Sequence, residues 1–330
     1  MARNNEYKKK IGIIGCGTLT TEFYSKVFPN ISTASVEYVC DINKSLSTLA
    51  SKIFNAASVS IEELVENSEL VIIATPPQTH YELVKKSLKP NNSVVCEKPF
   101  MVNTKDAEDV ISISENIGSS LYVAHMRRFY PSVQIARKLF ATGIFGKLLK
   151  IGIYEGSRFK YKSVSNYVAN DKTGGVLFDS GSHCLDMALY IAHLTDSKIK
   201  IKVNNVKKDQ EEPSHDIFSC FTIQSNTSEI KCELLCSRVK FLSNKITFIF
   251  ENGQIDVPTS LENYIRVCGP DGITIINSPD QLKNLTQVYC KQYKSVINQN
   301  NDQIIEAKQF INLTTLLETI YNHESSLINE

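Results

Sequence analysis

Apolar positions along the first 125 residues follow two alternating rules. Short strand-like runs occur at Ile11–Cys16, Val36–Cys40, Leu70–Ala74, Ser93–Cys96 and Leu121–Ala124, and the first is β-branched and apolar at both parities. Strands buried on both faces have this composition. Between them the apolar spacing lengthens to three or four, as in Leu19, Phe23 and Val27, and again in Leu46, Leu49 and Ile53. Helices are expected there, at Tyr81–Leu88 and from about Lys105 to Asn116, with Thr75-Pro76-Pro77 and Pro90-Asn91-Asn92 as breaks. Strands alternating with helices predict a parallel sheet covered on both faces. Its ligand-binding residues belong just past the carboxyl ends of the strands.

The pattern changes after residue 125. An amphipathic helix (Val133, Ala136, Leu139, Phe140) precedes strand-like runs at Leu148–Tyr154, Ile199–Val206, Ile217–Ile223, Glu229–Cys236 and Ile246–Phe250. A helix, Gly181–Leu194, falls between the first two, and hairpin-length links join the later ones, predicting a largely antiparallel sheet. Two tail helices are expected, about Pro279 to Asn298 and Ile304 to His323, with Leu313, Leu316, Leu317 and Ile320 as a packing stripe. The chain therefore reads as an α/β domain with a parallel sheet over residues 1–125 and an α+β domain with an open sheet over residues 126–330.

Composition narrows the function. The 330 residues carry 36 Lys+Arg against 35 Asp+Glu, and 42% are hydrophobic, which excludes a basic nucleic-acid scaffold and an acidic disordered tail. No apolar run approaches the ~18–20 residues that span a bilayer, so no membrane association is expected. Lys8-Lys9-Lys10 before Ile11–Cys16 has the outline of a secretory leader, but the apolar stretch is too short and soon meets Glu22, so it reads as the first strand. Nine cysteines are scattered singly, with no C-x-x-C pair, which favours a reducing, cytoplasmic setting. Cys232 and Cys236 read as small core residues, and no metal site is expected.

The first candidate chemistry lies at the end of the first strand. Gly15-Cys16-Gly17-Thr18-Leu19-Thr20 is a G-x-G-x-x-T turn. A tight strand-to-helix turn with a residue lacking a side chain lets backbone approach a pyrophosphate, and the helix N-terminus supplies free N–H groups. Thr20 replaces the usual third Gly or Ala, so either the helix stands further off the sheet or the hydroxyl is used. Asp41 closes the second strand, 24 residues beyond Gly17, near the expected offset for a carboxylate that accepts from ribose hydroxyls. Such a carboxylate repels a 2′-phosphate, so NAD is favoured over NADP, with Lys44 nearby softening the preference. The alternative makes Asp41 the N-cap of the next helix.

Two further strand ends carry Ala74-Thr75-Pro76-Pro77-Gln78-Thr79-His80 and Glu97-Lys98-Pro99. With Arg128-Phe129-x-Pro131 and the later Gly174-Gly175-Val176-Leu177-Phe178-Asp179-Ser180-Gly181-Ser182-His183, they resemble the glucose–fructose oxidoreductase / inositol dehydrogenase / MocA family over essentially the whole chain. The resemblance implies a Rossmann fold, and hydride transfer between a nicotinamide cofactor and a sugar, nucleotide-sugar or cyclitol. Lys98, Asp179 and His183 match the family's catalytic set. Gly15, Cys16, Gly17, Thr18, Leu19, Asp41, Thr75, Pro76, His80, Glu97 and Lys98 are the expected cofactor contacts. The resemblance also implies a homodimer or homotetramer formed through the open sheet.

Histidine titrates near neutrality and suits the proton of a secondary alcohol. An ammonium at Lys98 would hold the reacting oxygen as negative charge develops. Glu97 is expected to anchor the loop or balance that charge. On the substrate side, Arg128, Tyr154, Arg158, Tyr167 and His183 are the candidates, since rings and cations suit a polyhydroxylated or phosphorylated ligand. Taken singly, these residues have plainer readings: Asp179 as a helix cap, His183 as a core histidine bonded to Asp186, Lys98 as a solvated loop lysine. Two other functions fit the same motifs, an NAD-dependent glycosidase working by transient oxidation and a non-catalytic dinucleotide sensor.

Overall fold

The structure is a computed structural model that describes residues 7–158, 175–208, 216–225, 228–298 and 305–327. The chain divides into two compact units. The first comprises Met1–Met101, Lys105–Ala124 and Leu285–Lys308, and the second Val102–Thr104, His125–Asn284 and Gln309–Glu330. A single cut at residue 125 therefore understates the topology, because the helix Leu285–Ile297 returns to the first unit. Its Tyr293, 0% exposed, packs edge-on against Tyr24 at 5.4 Å and at a tilt against Phe28 at 5.0 Å. Aromatic pairs of this kind bury large apolar area, which local sequence cannot assign to a partner.

The first unit is built on six parallel strands: β1 (Lys9–Ile14), β2 (Ala34–Cys40), β3 (Ala57–Ser58), β4 (Leu70–Ile73), β5 (Ser93–Glu97) and β6 (Ser120–Ala124). Their order is β3-β2-β1-β4-β5-β6. All four residues of β4 are 0% exposed, as two-sided burial requires. The order reverses direction between β1 and β4, the position where doubly wound sheets open a crevice. Helix Lys44–Phe54 packs through Ser47 and Ala50, leaving Leu49 and Ile53 exposed. Small residues let this helix lie close to the sheet, so its larger apolar side chains are not its core face.

The second unit holds eight strands: β7 (Leu148–Gly156), β8 (Lys200–Lys208), β9 (Asp216–Gln224), β10 (Glu229–Ser237), β11 (Lys245–Phe250), β12 (Gly253–Pro258), β13 (Tyr264–Gly269) and β14 (Gly272–Asn277). Their order is β14-β13-β12-β11-β7-β10-β9-β8, antiparallel throughout except for the parallel β7–β10 pair. The last three strands were not evident in the sequence. One face of the sheet is buried, with Ile151, Ile153, Leu234 and Cys236 all at most 1% exposed. Helix Ser182–Ile191 is buried along most of its length, and Leu313, Leu316, Leu317 and Ile320 of the helix Ile311–Leu327 are core residues as their spacing predicts. Among the described residues no helix is long and apolar enough to cross a membrane.

Candidate active site

The glycine turn after β1 has the geometry a dinucleotide needs. Gly15 has φ +99°, and a Cβ there would lie 2.4 Å from the Ala74 carbonyl oxygen, so glycine is demanded twice over. A Cβ at Gly17 would meet nothing within 4 Å, leaving open space over the backbone just before the helical turns that begin at Leu19. Thr20 settles the two alternatives left by its side chain: its buried hydroxyl donates to the Gly15 carbonyl at 2.6 Å. Asp41 accepts from the Cys16 N–H through Oδ2 and from the Asn43 N–H through Oδ1, both at 2.7 Å. The cap of helix Lys44–Phe54 is Asn43, which accepts from the Ser45 N–H, so Asp41 is not that cap. Each Asp41 oxygen retains a lone pair for a ribose hydroxyl. This turn therefore fits a dinucleotide.

Not every expected cofactor contact is open to one. The Cys16 N–H is committed to Asp41, and its thiol is buried and pushed up to about 12, so neither offers a ligand anything polar. Gly17, Thr18, Leu19 and Thr75 are half-buried and Pro76 is exposed. His80, by contrast, is 0% exposed. Its Nδ1 faces the carbonyls of Pro99 and Phe100 at 3.0 and 3.1 Å, and its Nε2 faces the Thr75 carbonyl at 2.9 Å. It fastens the β4 loop to the β5 loop rather than reaching a ligand, and burial holds its pKa below the ordinary histidine value. Glu97 is also enclosed. Oε1 accepts from the Tyr24 hydroxyl and Oε2 from the Lys98 N–H at 3.2 Å. Burial raises its carboxyl above the usual range, opposed by the Tyr24 hydrogen bond and the Lys98 charge. Glu97 thus anchors the loop. Lys98 itself is half-buried and precedes a cis peptide bond to Pro99.

In the second unit, Asp179 and His183 sit four residues apart across the junction between the π-helical turns Leu177–Gly181 and the helix Ser182–Ile191. Four residues is close to one turn, which keeps both side chains on neighbouring parts of one face. Asp179 Oδ2 accepts from Arg238 Nη2 at 2.7 Å, and the same nitrogen reaches the Gly175 carbonyl at 3.4 Å. Arg238 is 4% exposed while the Asp179 side chain keeps 27% of its surface, so an enclosed arginine braces a partly exposed carboxylate. The half-buried His183 ring packs edge-on against His125 at 5.6 Å. Asp186 is engaged elsewhere, by Arg128 and by His125 Nδ1 at 3.3 Å.

Two substrate expectations need correction. Arg128 is 0% exposed. Its guanidinium donates to both Asp186 oxygens (Nε at 3.1 and 3.0 Å, Nη2 at 2.6 Å) and to Gln309 Oε1 at 2.6 Å, between the rings of Phe310 and Tyr190. It is a core ion pair. Tyr154 points away from the helix that carries His183. Strand alternation puts Ile151, Ile153 and Glu155 on the helix-covered face of β7 and Tyr154 on the other. There its hydroxyl donates to Glu233 at 2.7 Å. Arg158 is exposed just past β7, and Tyr167, with Lys160, Tyr161, Lys162 and Gly174, lies outside the described residues.

Sequence reasoning passed over three residues that the fold brings beside the Asp179–His183 helix. Glu155 accepts a bidentate pair from Arg127 and the Cys184 thiol at 3.0 Å, and Arg238 braces Asp179. The alternation along β7 carried the signal for Glu155. Nothing local marks Arg238 beyond a charge directly after a strand.

Comparison with known proteins accords with this geometry. The chain is 27% identical over 215 residues to a glucose-6-phosphate 3-dehydrogenase of Bacillus subtilis, covering 62% of this chain and 60% of that protein. It is 29% identical over 146 residues to an inositol 2-dehydrogenase/D-chiro-inositol 3-dehydrogenase of Lactiplantibacillus plantarum, covering 42% of each. The chain spans about half the length of the curated relatives it matches. An oxidoreductase from Agrobacterium radiobacter, solved in complex with NAD+, L-tartaric acid and magnesium, shares the fold at a TM-score of 0.77 and 19% identity over 96% of both chains. Residues 9–125 match the oxidoreductase family described by its NAD-binding Rossmann fold, and residues 133–256 match the C-terminal domain of the same GFO/IDH/MocA group. On both units, then, the chain belongs to the GFO/IDH/MocA oxidoreductase family.

Proposed function

We infer that this chain is an NAD-dependent oxidoreductase acting on a secondary alcohol or ketone of a sugar, nucleotide-sugar or cyclitol. The observation that carries the reading is the turn after β1, where open backbone at Gly17 stands beside an Asp41 carboxylate already fixed by two N–H groups. The names of the two dehydrogenase relatives support the substrate class.

When bound, nicotinamide supplies the acceptor or donor of the hydride. The protein's own task is the oxygen and its proton. His183 takes the hydroxyl proton in oxidation and returns it in reduction, a role worth roughly 10²–10⁴-fold. Asp179, held by Arg238, orients a substrate hydroxyl or the imidazole. Lys98 holds the reacting oxygen and stabilises its developing charge. Asp41 repels a 2′-phosphate, which favours NAD over NADP.

The test is incubation of the purified protein with NAD or NADP and a panel of polyols, sugar phosphates and nucleotide-sugars. NADH should form in step with substrate loss. Asp41→Ala removes at least one charge-assisted hydrogen bond worth ~1.5–3 kcal/mol, so it should weaken NAD binding by at least about 10- to 150-fold and narrow the preference over NADP. No reduced cofactor across the panel refutes the reading, and released sugar without NADH points to the glycosidase chemistry instead.

A further inference from the structure

Behind the Glu97-Lys98-Pro99 turn lies a hydrogen-bond chain that the proposed chemistry does not itself explain. The Tyr293 hydroxyl donates to the Tyr24 hydroxyl at 2.7 Å, the Tyr24 hydroxyl donates to Glu97 Oε1, and the Lys98 N–H donates to Glu97 Oε2 at 3.2 Å. Both tyrosines are 0% exposed and Glu97 is 7% exposed. The surroundings are apolar and aromatic, with Phe28 at 5.6 Å and Tyr289 at 6.2 Å from the Tyr24 ring. Phenylalanine would fill the same space without bringing any polar atom out of water.

The direction of the chain follows from donor counting. An ionised carboxylate only accepts, and each phenol has one proton to give. Tyr24 must therefore spend its proton on Glu97, which leaves its oxygen to accept from Tyr293. With Glu97 as an anion each of these three donors has an acceptor, whereas protonation would add a fourth donor to the arrangement. A buried carboxylate of this kind is costly unless donors surround it, and here an O–H and an N–H do so while the Lys98 charge lies close by.

We propose that Tyr24 and Tyr293 are positioning residues for the reaction at Lys98, holding Glu97 as a carboxylate beneath the turn so that the Lys98 main chain and ammonium keep one place. The proposal rests on the reading of Lys98 as the group that holds the reacting oxygen. The groups facing Glu97 are Tyr24 from the helical turns Leu19–Tyr24, Tyr293 and, one ring further, Tyr289 from the helix Leu285–Ile297, and Cys96 and Lys98 from its own strand and turn. Tyr24 is the hydroxyl that touches the carboxylate, so its loss must raise the pH at which Glu97 takes a proton. Loss of the Tyr293 hydroxyl acts one bond further out, with the same sign and a smaller size.

The variants Tyr24→Phe and Tyr293→Phe remove one oxygen each and keep the ring. Carbon-13 NMR of glutamate carboxyls, with Glu97 assigned from Glu97→Gln, follows the titration without substrate or cofactor. The Glu97 midpoint should rise by about one to two pH units in Tyr24→Phe and by less in Tyr293→Phe. In turnover, the acid limb of kcat should move to higher pH by the same amounts while the NAD dissociation constant stays constant. A merely structural role would lower Tm and shift the Glu97 midpoint while leaving the acid limb of kcat where it is. If the midpoint or the limb in both Tyr→Phe variants coincides with wild type, the proposal is overturned. A wild-type protein that turns over no member of the panel overturns the hydride-transfer reading instead, and the carboxyl titration still decides whether the tyrosines hold the anion.

Discussion

Replacing Arg128 by methionine separates two roles for a residue that the sequence places near substrate. Its guanidinium makes three contacts to the Asp186 carboxylate at 3.1, 3.0 and 2.6 Å, with Phe310 and Tyr190 ring centroids 3.9 and 4.7 Å from its central carbon. The side-chain exposures of the pair are 0% and 1%. Methionine keeps much of the stem and removes the charge, leaving Asp186 as a buried anion beside His125. Breaking a buried pair from one side costs ~3–5 kcal/mol, because the remaining charge has lost its partner and cannot regain water. At ~2–4 °C per kcal/mol for a unit of this size, Tm of the second unit should fall by about 6–20 °C. Thermal and urea unfolding followed by circular dichroism measure this directly. The double variant Arg128→Met/Asp186→Leu removes both charges and should recover most of the loss, so the two single effects are far from additive. If Arg128→Met melts within about 1 kcal/mol of wild type, or keeps its Tm while KM for substrate rises, the core assignment is refuted.

The glycine turn gives a contrast within three residues. Gly17→Ala places a methyl in open space, so Tm should hold while NAD affinity measured by calorimetry falls at least about ten-fold, whereas Gly15→Ala meets both a positive φ and the Ala74 carbonyl and should lower Tm itself. Unchanged NAD affinity in Gly17→Ala would mean that no pyrophosphate lies over that backbone. Arg238→Gln removes the charge-assisted bond that braces Asp179 and should reduce kcat about 10- to 150-fold with NAD affinity intact, and added guanidinium should restore part of the rate. A kcat equal to wild type would remove Arg238 from the active arrangement.

Much of the first sheet was legible because two-sided burial writes an unbroken apolar run, as in Leu70–Ile73, and because Gly15, Asp41 and Lys98 all follow strand ends. β14 was not legible for the opposite reason: it is a mostly exposed edge strand with no buried face to set a period. The alternation of Ile151 and Ile153 already puts Tyr154 on the other face of β7, so its place is legible from the strand period and not from its residue type. Arg128 illustrates a deeper limit. An arginine is expected at a surface, and only its distant partners Asp186, Gln309 and Phe310 reverse that expectation. The same holds for Tyr293, whose spacing predicts a helix but not which unit the helix completes.

That late-returning helix bears on how the protein is made. Strand order alone would let the nucleotide unit close as soon as β6 leaves the ribosome, yet the aromatic cover over Tyr24 and Phe28 is encoded only at residues 285–308. Translation at ~5–20 residues per second leaves the nascent unit uncovered for about ten to forty seconds. During that interval its bare rings are a natural handle for chaperones, and a fragment cut at residue 125 would keep them bare for good.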